Sequence, residues 1–208
     1  MGDTESTGVC LATVMNHLNP ETSGLSSAVP DRAHVVQFYT SDDYLLNGLA
    51  ASLGGALKSG ESVVAVMTKP HQTGLLKRLS SQDINTAEAI KRGKLTVLDA
   101  SDMLKKFMSS NGPNRQRFLW EIGSVLRKAE LAAEVKHKRV VVFGEMVAVL
   151  WKEGQEEAAI RLEQLWNELA KTHFFHLHCA YPAKWFKGKH GGEPYATICA
   201  EHSVVIPA

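Results

Sequence analysis

The chain has 208 residues, of which 44% are hydrophobic and 22% are charged, a composition that suits one globular domain with a single core. Its 23 lysines and arginines nearly balance 22 aspartates and glutamates, so no net charge is available to hold nucleic acid or an anionic membrane. Cys10, Cys179 and Cys199 are odd in number and far apart, which excludes a disulfide framework and a paired-cysteine zinc knuckle.

The first part of the chain, residues 1–32, is rich in Ser, Thr, Gly and Pro. We predict a flexible or partly disordered leader there, followed by a single domain over 33–208. The beginning, MGDTESTGVC, is acidic and polar, whereas a secretory signal would be basic and then apolar. The longest apolar run, RVVVFGEMVAVLW, is shorter than the ~20 residues that cross a bilayer and contains Glu145. We therefore expect a cytoplasmic protein without membrane contact.

From His34 onward, short β-branched runs alternate with helical patterns. HVVQFY (34–39) is the first predicted strand, and Ser41 is the predicted N-cap of the helix that follows it. Leucines recur every four residues in this helix until Gly60, which ends it in the C′ position. SVVAVMT (62–68) is the second strand, and Pro70 can occupy the first turn of the next helix.

The same alternation continues to the end of the chain. KLTVLD (94–99) is the third strand and leads into a helix that Ser101 can cap, and a long amphipathic helix spans about 114–136. RVVVF (139–143) is continuously apolar, as expected for a central strand that is covered on both faces. A helix over 155–172 precedes the fifth strand, FFHLHCA (174–180), and SVVIP adds an edge strand near the C-terminus.

This order of elements predicts the fold class. Five strands separated by long helices require right-handed parallel crossovers. We therefore predict an α/β three-layer sandwich with a central, mostly parallel sheet of about five to seven strands.

In open α/β sheets the functional crevice lies beyond the carboxyl ends of the strands, where loops and helix N-termini converge. Residues that follow the five strands are Tyr39, Asp42, Asp43, Thr68, Lys69, His71, Asp99, Glu145, His178 and Tyr181. Helix capping explains Asp42, Asp43 and Ser101 equally well, and a turn explains Asp99. Glu145 interrupts a buried apolar run, so its carboxylate needs a partner, whether functional or structural.

A hydrophobic strand that ends in an acid resembles the Walker B element of P-loop ATPases, so a nucleotide-binding or phosphotransfer enzyme that uses Glu145 is one alternative. The turn after the first strand, YTSDDYLLNG, has no GxxxxGK[ST] motif and places two acids where phosphates would approach. The chain also contains no GxSxG, HExxH or GxGxxG motif. We therefore expect no catalysis. The lysine-rich KWFKGKHGGE (184–193) indicates a solvated loop or one that closes over an anionic ligand.

The segment HFFHLHC (173–179) holds three of the nine histidines and a cysteine, which resembles a metal site. Alternate residues of a strand share a face, so His176 and His178 point away from Cys179 and the segment cannot close on one ion. Zinc bound by the two strand histidines and a carboxylate of a neighbouring strand is the alternative, but no four-ligand set is visible. We expect no metal and no cofactor, and expect His178 and Tyr181 to face the ligand crevice.

Six segments in order resemble the MEDS family, the methanogen/methylotroph DcmR sensory domains. They are HVVQFY with the following Asp43 and Leu46, the Gly60-Glu61 strand start, VVVFGEMVAVLW, LEQLWNEL, CAYP and ICAEHSVVIP. The resemblance runs from about His34 to Pro207. It implies a RecA/KaiC-like core with a degenerate phosphate loop that senses a small organic molecule, such as a hydrocarbon derivative.

The positions that match the family's motifs are His34, Gln37, Tyr39, Asp43, His71, Glu145, Cys179, Tyr181 and His202. Combined with the strand-end rule, they lead to a predicted ligand site of Tyr39, Asp43, Thr68, His71, Glu145, His178, Tyr181 and His202. MEDS domains are usually joined to a DNA-binding domain or a histidine kinase, and neither is recognisable here. We expect output through a separate histidine kinase or transcriptional regulator, or through a homodimer, without direct nucleic-acid binding. A pure protein-interaction module is a further alternative.

Overall fold

The computed structural model describes residues 32–134, 139–186 and 192–208. Residues 1–31 of the predicted leader and residues 187–191 of the predicted loop lie outside them. The strands are β1 (His34–Tyr39), β2 (Ser62–Met67), β3 (Leu95–Asp99), β4 (Met108–Ser109), β5 (Gly112–Pro113), β6 (Val140–Gly144), β7 (Phe175–Pro182) and β8 (Val204–Ile206). The helices are α1 (Asp42–Lys58), α2 (Lys69–Ser80), α3 (Thr86–Lys91), α4 (Ala100–Phe107), α5 (Arg115–Ala132), α6 (Met146–Lys152), α7 (Glu156–Leu169) and α8 (Glu193–Ala200), with a 3-10 turn at Ala183–Phe186.

Six of these strands form one parallel sheet in the order β3-β2-β6-β7-β1-β8. This arrangement confirms the predicted α/β class and the parallel crossovers. Strand β6 lies inside the sheet and is buried along its whole length, as its continuous apolar sequence predicts. Strand β8 pairs with β1 at one edge, so the predicted C-terminal edge strand is also confirmed.

Helices cover the sheet on both sides. Alternate strand residues point to opposite faces, and each face carries apolar side chains that pack against helices. Side chains such as Val64, Val142 and Phe175 pack with α4, α5, α6 and α7, and we call this side the α5–α7 face. Ala65 and Phe143 are on the other side, which packs against α1 and α2 and which we call the α1–α2 face. The three-layer sandwich is therefore confirmed.

Some short elements have no counterpart in the predicted pattern. They are α3, the β4–β5 hairpin, α6, the 3-10 turn and α8. Each contains at most eight residues, which is too few turns to show a clear apolar periodicity.

Of the three predicted helix caps, two are confirmed and one is wrong. The Ser41 hydroxyl accepts the backbone N–H of Tyr44 at 3.2 Å, and Gly60 has a φ of 84° after α1. Helix α4, in contrast, is capped by Asp99 and not by Ser101: the Asp99 carboxylate accepts the backbone N–H of the third residue of α4 at 2.9 Å. Ser101 lies inside the first turn. A carboxylate is favoured at this position because it also interacts with the positive end of the helix dipole.

Replacing Asp99 with alanine should therefore lower the free energy of unfolding by about 1 kcal/mol, because α4 loses its cap. Ser101→Ala is the matched control and should change the free energy by less than about 0.5 kcal/mol. Chemical denaturation of both variants measures the difference. Equal effects of the two substitutions would contradict this cap assignment.

Candidate functional site

Glu145 stands between β6 and α6, and its backbone N–H donates to the carbonyl of Val66 at 2.8 Å, which continues the pairing with β2. Although it occupies the N-cap position of α6, its side chain does not cap that helix. The carboxylate turns instead to the N-terminus of α2. Oε2 accepts the backbone N–H of Thr68 at 2.7 Å, and Oε1 is paired with Nδ1 of His71. A carboxylate that is 3% exposed is thus held by two donors.

His71 lies between the buried carboxylate of Glu145 and the exposed carboxylate of Asp42. Its Nε2 lies 3.4 Å from Oδ2 of Asp42, in the first turn of α1. The hydrogen bond with Glu145 raises the pKa of His71 against the opposing effect of burial, and Asp42 raises it further. The imidazole is therefore held in its charged form to higher pH than a free histidine.

Tyr39, the last residue of β1, completes the group. Its side chain is 7% exposed, and burial together with the charges of Glu145 and Asp42 raises the pKa of its phenol. Among the described residues no hydrogen bond uses its hydroxyl. Tyr39 therefore offers a protonated donor without a fixed partner beside two carboxylates. We call Tyr39, Asp42, Thr68, His71 and Glu145 the strand-end cluster.

Asp43 belongs to the same turn but points elsewhere. Its carboxylate is paired with the guanidinium of Arg78 on α2 at 2.5 Å and is 85% exposed. The predicted residue Asp43 thus clamps α1 to α2 at the surface, whereas its neighbour Asp42, which has an equally plausible capping role in the sequence, reaches the cluster.

Tyr181 and His202 lie in a second group of polar side chains, on the α5–α7 face. At its centre is Glu163 of α7, which is fully buried. The Tyr181 hydroxyl donates to Oε1 of Glu163 at 2.9 Å, and Nε2 of His202 lies 3.5 Å from the same oxygen. Oε2 of Glu163 faces Nε2 of His34 at 3.2 Å and Sγ of Cys179 at 3.3 Å. We call His34, Glu163, Cys179, Tyr181 and His202 the inner cluster.

The expectation that Tyr181 shares one crevice with Glu145 and His178 is therefore wrong. Tyr181 lies two residues after Cys179 on β7, so both side chains point to the α5–α7 face. The strand-end cluster is formed with α2 on the other face. His178 does point to the α1–α2 face, but it packs edge-on against Phe143 with ring centroids 5.6 Å apart. Burial lowers its pKa to about 3, so it is neutral.

Charge interactions dominate the inner cluster. Burial opposes ionisation of Glu163, but His202 and His34 outweigh it and hold the pKa of the carboxyl low. Burial likewise opposes charge on His202, yet Glu163 raises its pKa. Burial and the Glu163 charge raise the pKa of Cys179 and of Tyr181. The ligand-type atoms of His34, Glu163, Cys179 and His202 all lie within 4.8 Å of one another, close enough to hold a metal ion.

Sequence reasoning missed Glu163, although one signal was present. It lies on the buried stripe of α7, three residues before Trp166 and four after Ala159, both of which are buried. An acid at such a position must find partners inside the protein.

The strand-end cluster is closed, since Tyr39, His71 and Glu145 are each at most 8% exposed. A cavity of about 300 Å³ lies elsewhere, between α4 and α6, with Leu104 and Val149 in its wall. None of the eight predicted ligand residues lines that cavity. Asp42, whose side chain is 70% exposed, is the member of the cluster that faces solvent.

The family model described as MEDS, the methanogen/methylotroph DcmR sensory domain, matches residues 33–191. The chain belongs to the MEDS family. The matched range contains the strand-end cluster and, of the inner cluster, all but His202. None of the curated proteins compared with this MEDS chain matches it.

Among solved structures, a KaiC-like protein of Pyrococcus horikoshii is similar to this MEDS domain with a TM-score of 0.50 and 18% sequence identity. The similarity covers 74% of this chain and 65% of that protein, so the chain spans less than two thirds of its length. At this identity the likeness concerns the fold alone, and it confirms the RecA/KaiC-like core. No helix among the described residues is both long and apolar enough to cross a membrane.

The raised pKa of His71 makes a specific pH dependence measurable. The stabilisation from its protonated form is complete below the usual value of 6.5 and is lost as the pH rises through the higher folded pKa. His71→Gln should therefore cost more stability near pH 6 than near pH 9, as measured by chemical denaturation. In a Glu145→Gln background the same substitution should have a nearly constant effect. Equal costs at both pH values in the wild-type background would contradict the pairing.

Proposed function

We propose that this MEDS domain is a non-catalytic sensor that binds a small organic molecule at the strand-end cluster. Membership in a sensory-domain family supports a signalling role. The observation that carries ligand binding is the hydroxyl of Tyr39, a donor without a hydrogen-bond partner among the described residues, beside the Glu145–His71 pair. Carboxyl ends of parallel strands are where sheets of this class bind ligands.

The chemistry of the cluster limits what it can take. A ligand oxygen can accept the Tyr39 hydroxyl proton, and a ligand donor can compete with His71 for Glu145. Leu46 and Met67 are buried in the same hydrophobic cluster as Tyr39 and suit an apolar body. The low exposure of the polar groups favours a small molecule over a nucleotide. A hydrocarbon derivative with one polar group fits these limits best.

Occupancy can be transmitted through Glu145, because its carboxylate bridges the end of β6 to the N-terminus of α2. A ligand that replaces either Thr68 or His71 as a partner of this carboxylate alters how α2 is held. Helix α2 is in turn clamped to α1 by Asp43 and Arg78 at the surface. The helical layer of the α1–α2 face is therefore the proposed output surface.

The proposed receiver is a separate cytoplasmic histidine kinase or transcriptional regulator, or a second copy of the chain. The balanced charge of the sequence supports a protein partner over nucleic acid. A pure interaction module is the second candidate, favoured by Trp120 and Leu131 of α5, which are 70% and 75% exposed. That module would respond to no small molecule.

Catalysis is not part of the proposal. In a phosphate-binding fold, the N-terminus of the helix that follows β1 would hold the phosphates. Here Ser41 caps that helix, α1, and two acidic residues occupy its first turn. Glu145 already accepts from Thr68 and His71, which suits a positioning group better than a base. The nucleotide-binding alternative stays open to a direct test.

A thermal-shift panel of small hydrocarbon derivatives tests ligand binding. At a ligand concentration of 100 Kd the native state gains about 2.7 kcal/mol, which raises Tm by about 5–10 °C for a domain of this size. Tyr39→Phe should leave the Tm of the free protein nearly unchanged, since no hydrogen bond is lost, but should reduce the shift. Tyr44→Phe, at a side chain that is 58% exposed, is the matched control and should keep the full shift.

No shift with any compound of the panel would favour the interaction module. An equal shift in wild type and Tyr39→Phe would place the ligand elsewhere, and the cavity between α4 and α6 would then be the first place to examine by substitution of Leu104.

For nucleotides we expect no binding at millimolar concentration and no hydrolysis of ATP or GTP above the buffer rate. Calorimetric titration and a phosphate-release assay measure the two properties. Hydrolysis by the wild type that disappears in Glu145→Gln would establish the enzyme alternative and end the proposal of a non-catalytic sensor.

A further inference from the structure

Four side chains with metal-ligating atoms converge in the interior at the end of the sheet where β1, β7 and β8 are neighbours. Oε2 of Glu163 lies 3.2 Å from Nε2 of His34 and 3.3 Å from Sγ of Cys179. The sulfur lies 3.6 Å from the same nitrogen of His34. Nε2 of His202 lies 3.5 Å from Oε1 of Glu163. The ligating atoms of these four residues, from β1, α7, β7 and the turn before β8, all lie within 4.8 Å of one another.

The tautomer of His34 is determined by Asn167. The Nδ2 of this asparagine donates to the backbone carbonyl of Glu201 at 2.9 Å and to its carboxylate at 3.0 Å, so Oδ1 must face the histidine. Nδ1 of His34 lies 2.8 Å from Oδ1 and must carry a proton to donate to it. In the neutral ring, Nε2 of His34 therefore presents a lone pair to Glu163.

His202 is oriented in the same way by a different acceptor. Its Nδ1 lies 2.6 Å from the backbone carbonyl of Ile198, which can only accept, so Nδ1 carries the proton. Its Nε2 is buried and has no hydrogen-bond partner among the described residues. A ligating histidine typically donates its other ring N–H to a carbonyl or carboxylate in this manner, which orients the free nitrogen toward the metal.

In their neutral forms the two histidines donate no hydrogen bond to the Glu163 carboxylate. The neutral rings of His34 and His202 would both point lone pairs at a buried carboxylate. The Cys179 thiol supplies one proton, which can be donated to one acceptor only. A single positive ion between the four groups removes the conflict.

Two of the separations, both from Nε2 of His34, match tetrahedral coordination. Zinc lies about 2.0–2.1 Å from nitrogen, about 2.0–2.2 Å from oxygen and about 2.3 Å from sulfur, which places nitrogen and oxygen ligands about 3.3 Å apart and nitrogen and sulfur about 3.6 Å apart. The distances from His34 to Glu163 and to Cys179 are 3.2 Å and 3.6 Å. We propose that His34, Glu163, Cys179 and His202 bind one divalent transition-metal ion, with Zn²⁺ the best match.

Charge and closure indicate the role of this site. A thiolate and a carboxylate neutralise a divalent ion, so the buried complex has no net charge. Tyr181 donates a hydrogen bond to the Glu163 carboxylate, and Asn167 accepts one from His34. Two of the four ligands are therefore held in orientation by neighbouring side chains. Four protein ligands leave no open position, which is typical of a structural site. The ion would join α7 to β1, β7 and the turn before β8, whatever binds at the strand-end cluster.

The decisive experiment uses the full, untagged chain. Elemental analysis of protein purified without chelators should show about one zinc per chain, and native mass spectrometry should show one ion on the folded species. Removal of the ion by a strong chelator should lower Tm, and added Zn²⁺ should restore it. Substitution with Co²⁺ should give the intense visible bands of tetrahedral coordination and a thiolate-to-metal charge-transfer band.

Variants separate the ligands from their surroundings. Cys179→Ser should abolish the charge-transfer band, whereas Cys199→Ser, at the other described cysteine, should keep it. Asn167→Ala removes the group that orients His34 but no ligand, and it should weaken zinc affinity by about 10- to 100-fold while keeping the Co²⁺ spectrum. Because the wild-type spectrum already reports the thiolate, a failure of Cys179→Ser to fold leaves the assignment testable through Asn167→Ala and Cys199→Ser.

Two results would overturn the proposal. One is folded wild-type protein without metal that takes up neither Zn²⁺ nor Co²⁺ on titration and whose Tm does not change. The other is a Co²⁺ spectrum without the thiolate band, or with a band that is lost in Cys199→Ser. Either result would mean that the inner cluster is held by protons alone.

Discussion

A parallel sheet that is covered on both faces leaves no water around the side chains of its strands, and every buried carboxylate must therefore find its donors inside the protein. This protein meets that constraint twice. Glu145 is held on the α1–α2 face by a backbone N–H and His71, and Glu163 is held on the α5–α7 face by the Tyr181 hydroxyl and the Cys179 thiol. The polar organisation of the whole interior follows from how these two acids are satisfied.

The two clusters differ in what they leave unsatisfied, and this difference separates their proposed roles. Near Glu145 the spare group is the Tyr39 hydroxyl, and Asp42 connects the cluster to solvent. Such a site can exchange partners with a small molecule. Around Glu163 the spare group is Nε2 of His202, which is buried and has no hydrogen-bond partner among the described residues. Such a site can be completed by an ion that enters as the domain folds.

Strand β1 contributes to both clusters, with His34 at its first position and Tyr39 at its last. Because it lies between β7 and β8, its first residue meets Cys179 and the turn that carries His202. An ion in the inner cluster would hold the start of β1, while the end of the same strand carries the proposed ligand donor. The structural site would thus stiffen the strand on which sensing depends.

The sequence by itself determined the layers of this protein. The α/β class, the parallel sheet, the buried β6 and the position of Glu145 and His71 at strand ends follow from local patterns, because period-two and continuous apolar runs report burial directly. The MEDS resemblance was also readable from short segments in order. Strand order, in contrast, arises from pairing between distant segments. Only the tertiary structure could place His34, Glu163, Cys179 and His202 together, and could separate Tyr181 from Glu145, since both depend on which strands are neighbours and which face each side chain reaches.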